Sequence, residues 1–284
     1  MNLELFWNEQ IGFPILTLLI FLPLAGAVSL WMRKDPRGAR VEALVLSLVE
    51  LALSLLLFVR FESGVPAMQF VEHISWIAPL GIGYHVGLDG ISLFLVILTT
   101  LLTALTVIYS WDRVRKQLRG YLICLLILEA TMIGVFISLD LVLFFVFWEV
   151  MLIPMYFLIK TWGPGPERDY AALKYVVYNL TGSVLMLVGF IILYLNYHDW
   201  AVPQPGRNPY SFSYLQLLLA PVPLEKQIWI FGLVFLGFAV KGPIVPFHTW
   251  LPSVMLQGPI AVSVMLSGVK LGSYGLLRFN LPLT

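Results

Sequence analysis

Apolar runs of about 20 residues are the feature that most constrains this chain, because each run is long enough to cross the hydrocarbon core of a bilayer as a helix. Charged residues make up only 12% of the 284 residues, whereas a soluble domain carries about 25%. The sequence therefore predicts an all-α, multi-pass membrane protein. Eight spanning helices are predicted, near residues 11–32, 41–60, 88–110, 121–138, 140–160, 172–195, 228–247 and 258–279.

The basic residues alternate between the two sides of the predicted helices. Of the 17 lysines and arginines, 11 follow the first, third and fifth predicted helices, and four fall on the opposite side. Cytoplasmic loops of membrane proteins are enriched in such residues. The N-terminus is therefore predicted outside, with the long loops 61–87 and 196–227 facing outward. The remaining two, Lys241 and Lys270, lie inside predicted helices.

The sequence offers no pattern typical of a cofactor, metal or nucleic-acid site. Segment 81–87, GIGYHVG, approximates a nucleotide fingerprint, but its last glycine comes one residue late and no strand–turn–helix unit is predicted around it. The chain has one cysteine, Cys124, which can form neither an internal disulfide nor a cysteine metal site. We expect no cofactor, no metal, no redox centre, no nucleic-acid partner and no direct contact with NAD.

Three ionisable residues are predicted within the membrane at similar depths. Counted at 1.5 Å per residue from the helix ends, Glu149 lies roughly 13 Å deep, Lys270 roughly 18 Å and Lys241 roughly 20 Å in a core about 30 Å thick. A charge at the bilayer centre costs about 2.5–3.5 kcal/mol on insertion scales, so all three should face the protein interior or water. Burial and a nearby acid act in opposite directions on the proton affinity of a lysine. Lys241 near Glu149 is therefore a candidate for reversible proton binding.

A purely structural role is the alternative for these charges. Glu149 and Lys241 would then form a static ion pair that ties helices together, although buried ion pairs stabilise weakly relative to apolar contacts. Glu129 is a lone acid in the fourth predicted helix, and both a structural and a proton-transfer role stay open for it.

Segment 235–253, FLGFAVKGPIVPFHTWLPS, predicts a break in the seventh helix. Pro243 removes a backbone donor, and irregular backbone at membrane depth is tolerated only inside protein or beside water. His248 follows Lys241 by seven residues and has an unperturbed pKa of about 6.5. A lysine and a histidine beside a break that can hold water are typical of a proton path. Alternatively, His248 lies at the inner interface beside Trp250.

Several motifs resemble signatures of one membrane-protein family. FVFWEVMLIPMYFLI (145–159), KGPIVPFHTWLP (241–252) and KLGSYGLLRFNLP (270–282) are similar to segments of the chain M and chain 4 subunits of NADH-quinone oxidoreductase, which is respiratory complex I. GYHVGLDGISLFLVIL (83–98) is also typical of these subunits, and the resemblance runs along the whole sequence.

This resemblance implies an antiporter-like, proton-pumping subunit without a redox centre. It implies contacts with other membrane subunits of complex I and a place in the bacterial inner membrane or an equivalent energy-transducing membrane. Glu149 matches the family's FWE glutamate, Lys241 its broken-helix lysine, and Lys270 the lysine of the next helix. In the family these residues form the input half-channel and the central axis.

The resemblance also implies a longer architecture of fourteen helices, built as two inverted five-helix repeats. Residues 1–110 are predicted to form the three N-terminal helices and residues 121–284 the first repeat. We therefore expect the sequence to be the N-terminal portion of such a subunit, without the second half-channel.

Two departures from the family pattern lie close to the predicted path. Ser253 and Met255 stand where an acid and a histidine are usual, and the segment before Lys270 is two residues shorter. Two residues turn a helix by about 200°, so the direction of Lys270 is open. Two other functions fit the same motifs. One is the homologous subunit of a multisubunit Na⁺/H⁺ antiporter, membrane-bound hydrogenase or carbon-uptake complex; the other is a structural subunit with an incomplete, inactive channel.

Overall fold

Long helices dominate the chain. The computed structural model describes residues 3–268 and 270–284. The helices are α1 (Trp7–Gln10), α2 (Ile15–Met32), α3 (Pro36–Arg60), α4 (Gly90–Ser110), α5 (Leu118–Ile137), α6 (Leu141–Val150), α7 (Leu152–Trp162), α8 (Arg168–Ala201), α9 (Tyr214–Leu217), α10 (Leu224–Lys241), α11 (Trp250–Gln257), α12 (Ile260–Gly268), α13 (Leu271–Gly275) and α14 (Leu281–Leu283). Short 3-10 turns cover Ala78–Leu80 and Phe247–Thr249, and a π-helix covers Leu276–Asn280.

The helices that can cross a membrane follow the predicted spans in order. Within the described residues, seven segments are long and apolar enough: α2, α3, α4, α5, α6 with α7, α8, and Ile260–Leu283. The seventh predicted span corresponds to α10, which is 18 residues long but carries Glu225, Lys226 and Lys241. The multi-pass helical architecture is confirmed, and the crossing by α10 stays a prediction.

A small sheet accompanies the helices of this mostly helical fold. Strand β1 (Glu4–Phe6) pairs in parallel with β2 (Met68–Ile77), and β2 pairs antiparallel with β3 (Ile82–Leu88). The sequence of β2, MQFVEHISWI, is rich in the β-branched and aromatic residues that favour strands. The sequence predicts this stretch only as part of the long loop 61–87, because its pairing partners are distant along the chain.

The glycine-rich segment lies almost wholly in β3, which runs directly into α4, so a strand does precede a helix there, contrary to expectation. Its backbone is nevertheless occupied by the protein itself. The amide of Gly83 donates to Asp140 Oδ2 at 3.1 Å, and a side chain at Gly81 would meet the Tyr210 carbonyl oxygen at 2.0 Å. These contacts tie the strand to neighbouring loops.

Asp140 fixes the N-terminal end of α6. Its Oδ1 accepts hydrogen bonds from the amides of Val142 and Leu143 at 2.8 and 3.1 Å, which caps the first turn of the helix. Just before it, the amide of Leu139 donates to the His85 carbonyl of β3 at 2.9 Å. The start of α6 is therefore bonded to the sheet.

Glycines set the distance between α8 and α10, which carries Lys241. A Cβ added at Gly182 would lie 2.8 Å from Val240 Cβ, and one added at Gly189 would lie 2.6 Å from Val234 Cγ2. Within a bilayer, packing contacts rather than water exclusion hold helices together, and small residues permit close approach. The glycine contacts on α8 thereby fix the position of α10.

Candidate functional site

The helix break predicted from Pro243 lies directly after Lys241. Helix α10 ends at Lys241, and residues 242–246 leave helical geometry before the Phe247–Thr249 turn and α11. We call residues 241–249 the Lys241 break. The amide of Ile244 donates to Ala239 O at 2.9 Å, and Trp250 Nε1 donates to Val240 O at 2.8 Å. Carbonyl groups freed by the proline thus have partners, as burial at membrane depth requires.

The Lys241 ammonium is buried against Trp148 of α6. Nζ donates to the Trp148 carbonyl at 3.2 Å and lies 4.4 Å from the centroid of the Trp148 ring. The lysine is 7% exposed and the tryptophan 1%. A carbonyl and an aromatic face both favour a cation. An ammonium has three donors, so two N–H groups remain for other acceptors.

Glu149 follows Trp148 but does not pair with Lys241. Among the described residues, no carboxylate oxygen lies within 4.0 Å of the Lys241 ammonium. The Oε1 atom of Glu149 is buried without a hydrogen-bond partner, as is the hydroxyl of Tyr175 on α8. The static ion pair considered from the sequence is therefore absent from this arrangement of the described side chains.

A cavity joins Lys241 to Lys270. Its volume is about 180 Å³, and Trp250, Met255 and Gly272 also line it. A water molecule in the liquid occupies about 30 Å³, so the cavity has room for several waters between the two ammonium groups. The structure thus brings together two of the predicted site residues.

Lys270 lies outside any helix, whereas the sequence predicted it within a continuous span. It stands immediately before α13 with φ −87° and ψ 64°, and its side chain is exposed. Val269, directly before it, is outside the described residues. The ends of α10 and α13 approach closely, because a Cβ at Gly272 would meet Gly242 Cα at 2.4 Å. This backbone contact places Lys270 at the cavity that Lys241 also lines.

His248 takes a different position from the other predicted residues. It lies in the Phe247–Thr249 turn, half-buried, with its Nδ1 buried and lacking a partner among the described residues. Because α10 ends at Lys241, the two residues do not share a helical face. His248 is also separate from the residues that line the cavity.

The residues that depart from the family pattern have contacts of their own. Ser253 Oγ accepts a hydrogen bond from Lys174 Nζ of α8 at 3.2 Å. Met255 lines the cavity shared by Lys241 and Lys270. Ser253 and Met255 therefore offer a hydroxyl and a thioether at positions where the resemblance implies a carboxylate and an imidazole.

Glu129 is fully buried in α5, and Glu50 is fully buried in α3. All four carboxyl oxygens lack hydrogen-bond partners in the described part of the chain. Glu129 is among the residues predicted from the sequence, whereas Glu50 is not. The signal was present, because Glu50 interrupts the apolar run LSLVELALSLLL just as Glu129 interrupts its own helix.

The arrangement around Lys241 can hold a proton and pass it on. The Trp148 carbonyl holds the ammonium in place, and the cavity has room for water beside its remaining N–H groups. The half-buried Glu149, with its buried Oε1 atom, is the next residue after that carbonyl. No group of three or more histidine, cysteine, aspartate or glutamate residues suited to a metal occurs in residues 3–268 and 270–284.

Known proteins are similar to this chain in sequence and fold. A family model described as "NADH:quinone oxidoreductase/Mrp antiporter, TM" matches residues 138–284. The chain is 39% identical over 279 residues to NADH-quinone oxidoreductase subunit M of Rickettsia felis and 42% identical over 278 residues to that of Rhodobacter capsulatus. Each match covers 95% of this chain and 54% of the relative.

A solved structure shows the same relationship. A chain of respiratory complex I from Thermus thermophilus with bound NADH superposes with a TM-score of 0.82 at 26% identity, over 94% of this chain and 53% of that chain. The chain thus spans about half the length of the relatives it matches. The resemblance read from the motifs is confirmed, and the chain belongs to the NADH:quinone oxidoreductase/Mrp antiporter family of membrane subunits.

Proposed function

We propose that this chain is the N-terminal portion of a proton-translocating membrane subunit of an NADH:quinone oxidoreductase. The observation that carries the proposal is the environment of Lys241, a buried ammonium that is bonded to a carbonyl, unpaired with any described acid, and open to a cavity shared with Lys270. A static structural lysine would be expected to have a carboxylate partner and no cavity.

Each site residue has a role in this proposal. Glu149 accepts a proton at the entry side, Lys241 receives it, and Lys270 is the next group along the cavity. His248 and Glu129 are further proton-transfer candidates outside that cavity. Residues 1–110 form the N-terminal helices, and residues 121–284 form the translocating repeat.

Partner subunits carry out the redox chemistry in this proposal. Subunit M relatives are named for an NADH-quinone oxidoreductase, and the chain itself acts as a translocase without a redox centre. It lies among other membrane subunits in an energy-transducing membrane such as the bacterial inner membrane, with its N-terminus outside. NADH oxidation in those subunits would drive proton movement past Lys241.

The family description also names Mrp antiporters, which makes sodium/proton exchange the second candidate. The third is a structural subunit with an inactive channel. These candidates differ in whether proton movement follows NADH oxidation, requires Na⁺, or is absent.

The decisive test is Lys241→Ala in the complete complex in native membranes. Proton uptake is measured during NADH oxidation, with Na⁺ replaced by K⁺ in a parallel sample, and the amount of assembled complex is measured alongside. Lys226→Ala is the matched control, because Lys226 lies in the same helix, its side chain is 41% exposed, and its one bond among the described residues is to Asp199 at 3.3 Å.

We expect Lys241→Ala to lower the proton uptake at least tenfold with normal assembly, and Lys226→Ala to leave it unchanged. Unchanged uptake in an assembled Lys241→Ala complex would overturn the proposed role. Loss of assembly alone would favour the structural subunit, and uptake that requires Na⁺ would favour the antiporter.

A further inference from the structure

Two acids on separate helices lie in the bundle without an ion-pair partner among the described residues. Glu50 of α3 and Glu129 of α5 each have 0% relative exposure. None of their four carboxyl oxygens has a hydrogen-bond partner among the described residues. An unpartnered buried carboxylate costs several kcal/mol, so some other species must satisfy these oxygens.

A row of hydroxyl groups places these two acids at one level. Ser54 Oγ of α3 and Thr100 Oγ1 of α4 share a hydrogen bond of 2.8 Å. Because α3 and α4 run antiparallel, Glu50, one turn before Ser54, lies level with Thr103, one turn after Thr100. The side chains of Thr103 and Glu129 interact, and so do the carboxyl groups of Glu129 and Glu50.

We call Glu50, Ser54, Thr100, Thr103 and Glu129 the acid seam. All five side chains are fully buried. The threonine hydroxyls are themselves committed, because Thr100 Oγ1 also donates to the Ile97 carbonyl at 3.0 Å and Thr103 Oγ1 donates to the Thr99 carbonyl at 3.0 Å. The hydroxyl row therefore positions the two carboxyl groups without neutralising either of them.

No cation faces the acid seam from the neighbouring described helices. Helices α2 and α4 contain no charged residue. Helix α6 contributes only the acid Glu149, and α7 contributes Lys160, which is exposed and donates to Tyr156. Along α3, Arg40 and Arg60 each lie about 15 Å from Glu50 by helical rise, and along α5, Arg119 lies about 15 Å from Glu129. The charge of a second carboxylate would therefore stay uncompensated.

Two close carboxyl groups in such a place cannot both be ionised, because each anion repels the other and neither is solvated. We propose that Glu50 and Glu129 form a second proton-binding site, in which two carboxyl groups on α3 and α5 hold protons between them. The ligand is the proton itself, and the binding atoms are the carboxyl oxygens.

This site goes beyond the proposed function, because it uses neither Lys241 nor the cavity to Lys270. Neither acid lines that cavity. The acid seam would hold protons whether or not the complex pumps them, so its test reads protonation directly rather than translocation.

The experiment is infrared difference spectroscopy of the carboxyl C=O band, recorded on the purified whole complex in Na⁺-free buffer. Spectra are compared at pH 8, where an ordinary glutamate with a pKa of about 4.3 is ionised. The variants are Glu50→Gln, Glu129→Gln and both together. Glu42→Gln is the matched control, because Glu42 lies two turns earlier in α3 but is paired with Arg33.

We expect a protonated carboxyl band in the unsubstituted complex that the double variant loses and Glu42→Gln retains. Each single variant should move the titration midpoint of the remaining acid by about one pH unit or more, since coupled groups titrate together. The two single variants test the coupling independently, so a folding defect in one leaves the other informative.

Three results would overturn the proposal. Absence of the band from the unsubstituted complex would mean that both acids are ionised. If each single variant loses only its own part of the carboxyl band, and the titration midpoint of the other acid does not change, the two acids are neutral but not coupled. Loss of the band on adding Na⁺ would mean a cation site rather than a proton site.

Discussion

The Lys241 break and the acid seam both bury ionisable side chains, but they surround the charge differently. At the break, the ammonium bonds to the Trp148 carbonyl and faces a ring and a cavity. In the acid seam, the carboxyl oxygens of Glu50 and Glu129 have no partner among the described groups, and neighbouring α2 and α4 are uncharged.

Because of this difference, the Lys241 ammonium can stay charged, whereas the Glu50 and Glu129 carboxyl groups need protons. A cation with a fixed acceptor and a path to water can keep its charge in a bilayer. An acid without donor, cation or cavity is tolerated as the neutral form. The Lys241 break therefore accommodates a charged ammonium, whereas the acid seam accommodates neutral carboxyl groups.

The largest effect is expected from the backbone contact between Gly272 and Gly242 beside the Lys241 break. Gly272→Ala should reduce the amount of assembled chain severalfold, because its new Cβ would meet Gly242 Cα at 2.4 Å, and overpacking against a fixed neighbour costs about 1–3 kcal/mol. Immunoblots of membranes measure the assembled amount. Gly232→Ala in α10 is the control, since no heavy atom lies within 4 Å of its Cβ position. Equal amounts for both variants would show that the contact is not needed.

Leucine substitutions should change stability in opposite directions at the two regions. Lys241→Leu leaves the Trp148 carbonyl buried without its donor, which costs about 1–3 kcal/mol, so the Tm in detergent should fall. Glu50→Leu replaces an unpartnered buried acid by an apolar side chain, so the Tm should stay level or rise. Differential scanning fluorimetry measures both. A fall of similar size in both variants would remove the distinction between the regions.

A smaller effect is expected from the ring beneath Lys241. Trp148→Phe keeps the backbone carbonyl but weakens the cation–π contact, which is worth about 0.5–2 kcal/mol. Proton uptake should therefore fall a few-fold, with assembly retained. Trp76→Phe is the control, because Trp76 is 58% exposed in β2. Uptake unchanged by Trp148→Phe would show that the carbonyl alone positions the ammonium.

The smallest effect concerns a titratable group in strand β2, His73, whose side chain is exposed. Burial lowers the pKa of His73, and the neighbouring His85, 4.6 Å away between ring centroids, lowers it further. The neutral form therefore stabilises the fold, and this contribution is lost as the pH falls below about 6.5, the unfolded value.

Thermal unfolding between pH 7.5 and 5.5 checks this expectation. The Tm should fall with acidification, and His73→Phe should make that fall shallower. Glu4 has a pKa lowered mainly by its hydrogen bond with His85, and its contribution is lost only in a lower window, as the pH falls below about 4.5. An identical pH profile in the variant would exclude His73 as the source.

Much of the architecture follows from the sequence, because a bilayer imposes a length and a composition on every crossing helix. The break after Lys241 was also predictable, since Pro243 marks it. The break beside Lys270 was not, because no proline signals it. The direction of the lysine there depends on the contact between Gly272 and Gly242, which brings distant parts of the chain together.

Other parts required the tertiary structure. The parallel pairing of Glu4 with Met68 joins residues far apart in sequence, and no local pattern specifies it. The acceptor for Lys241 is a backbone carbonyl, which any residue type supplies. Glu50 is different, because its lone charge in an apolar run was visible, and only its closeness to Glu129 needed the fold.

The anchoring of α6 has a mechanical consequence for Glu149. The start of the helix is held by the Asp140 cap and the hydrogen bond from the Leu139 amide to the His85 carbonyl. The other end of the helix is followed by Met151, the residue that separates α6 from α7. Glu149 thus lies about 13 Å along α6 from the anchored N-terminal end of the helix. A tilt of roughly 10° would swing Glu149 by about 2 Å. A displacement of about 2 Å is enough to move two charged atoms from ion-pair contact, which requires an N···O distance of about 4 Å or less, to a separation beyond it.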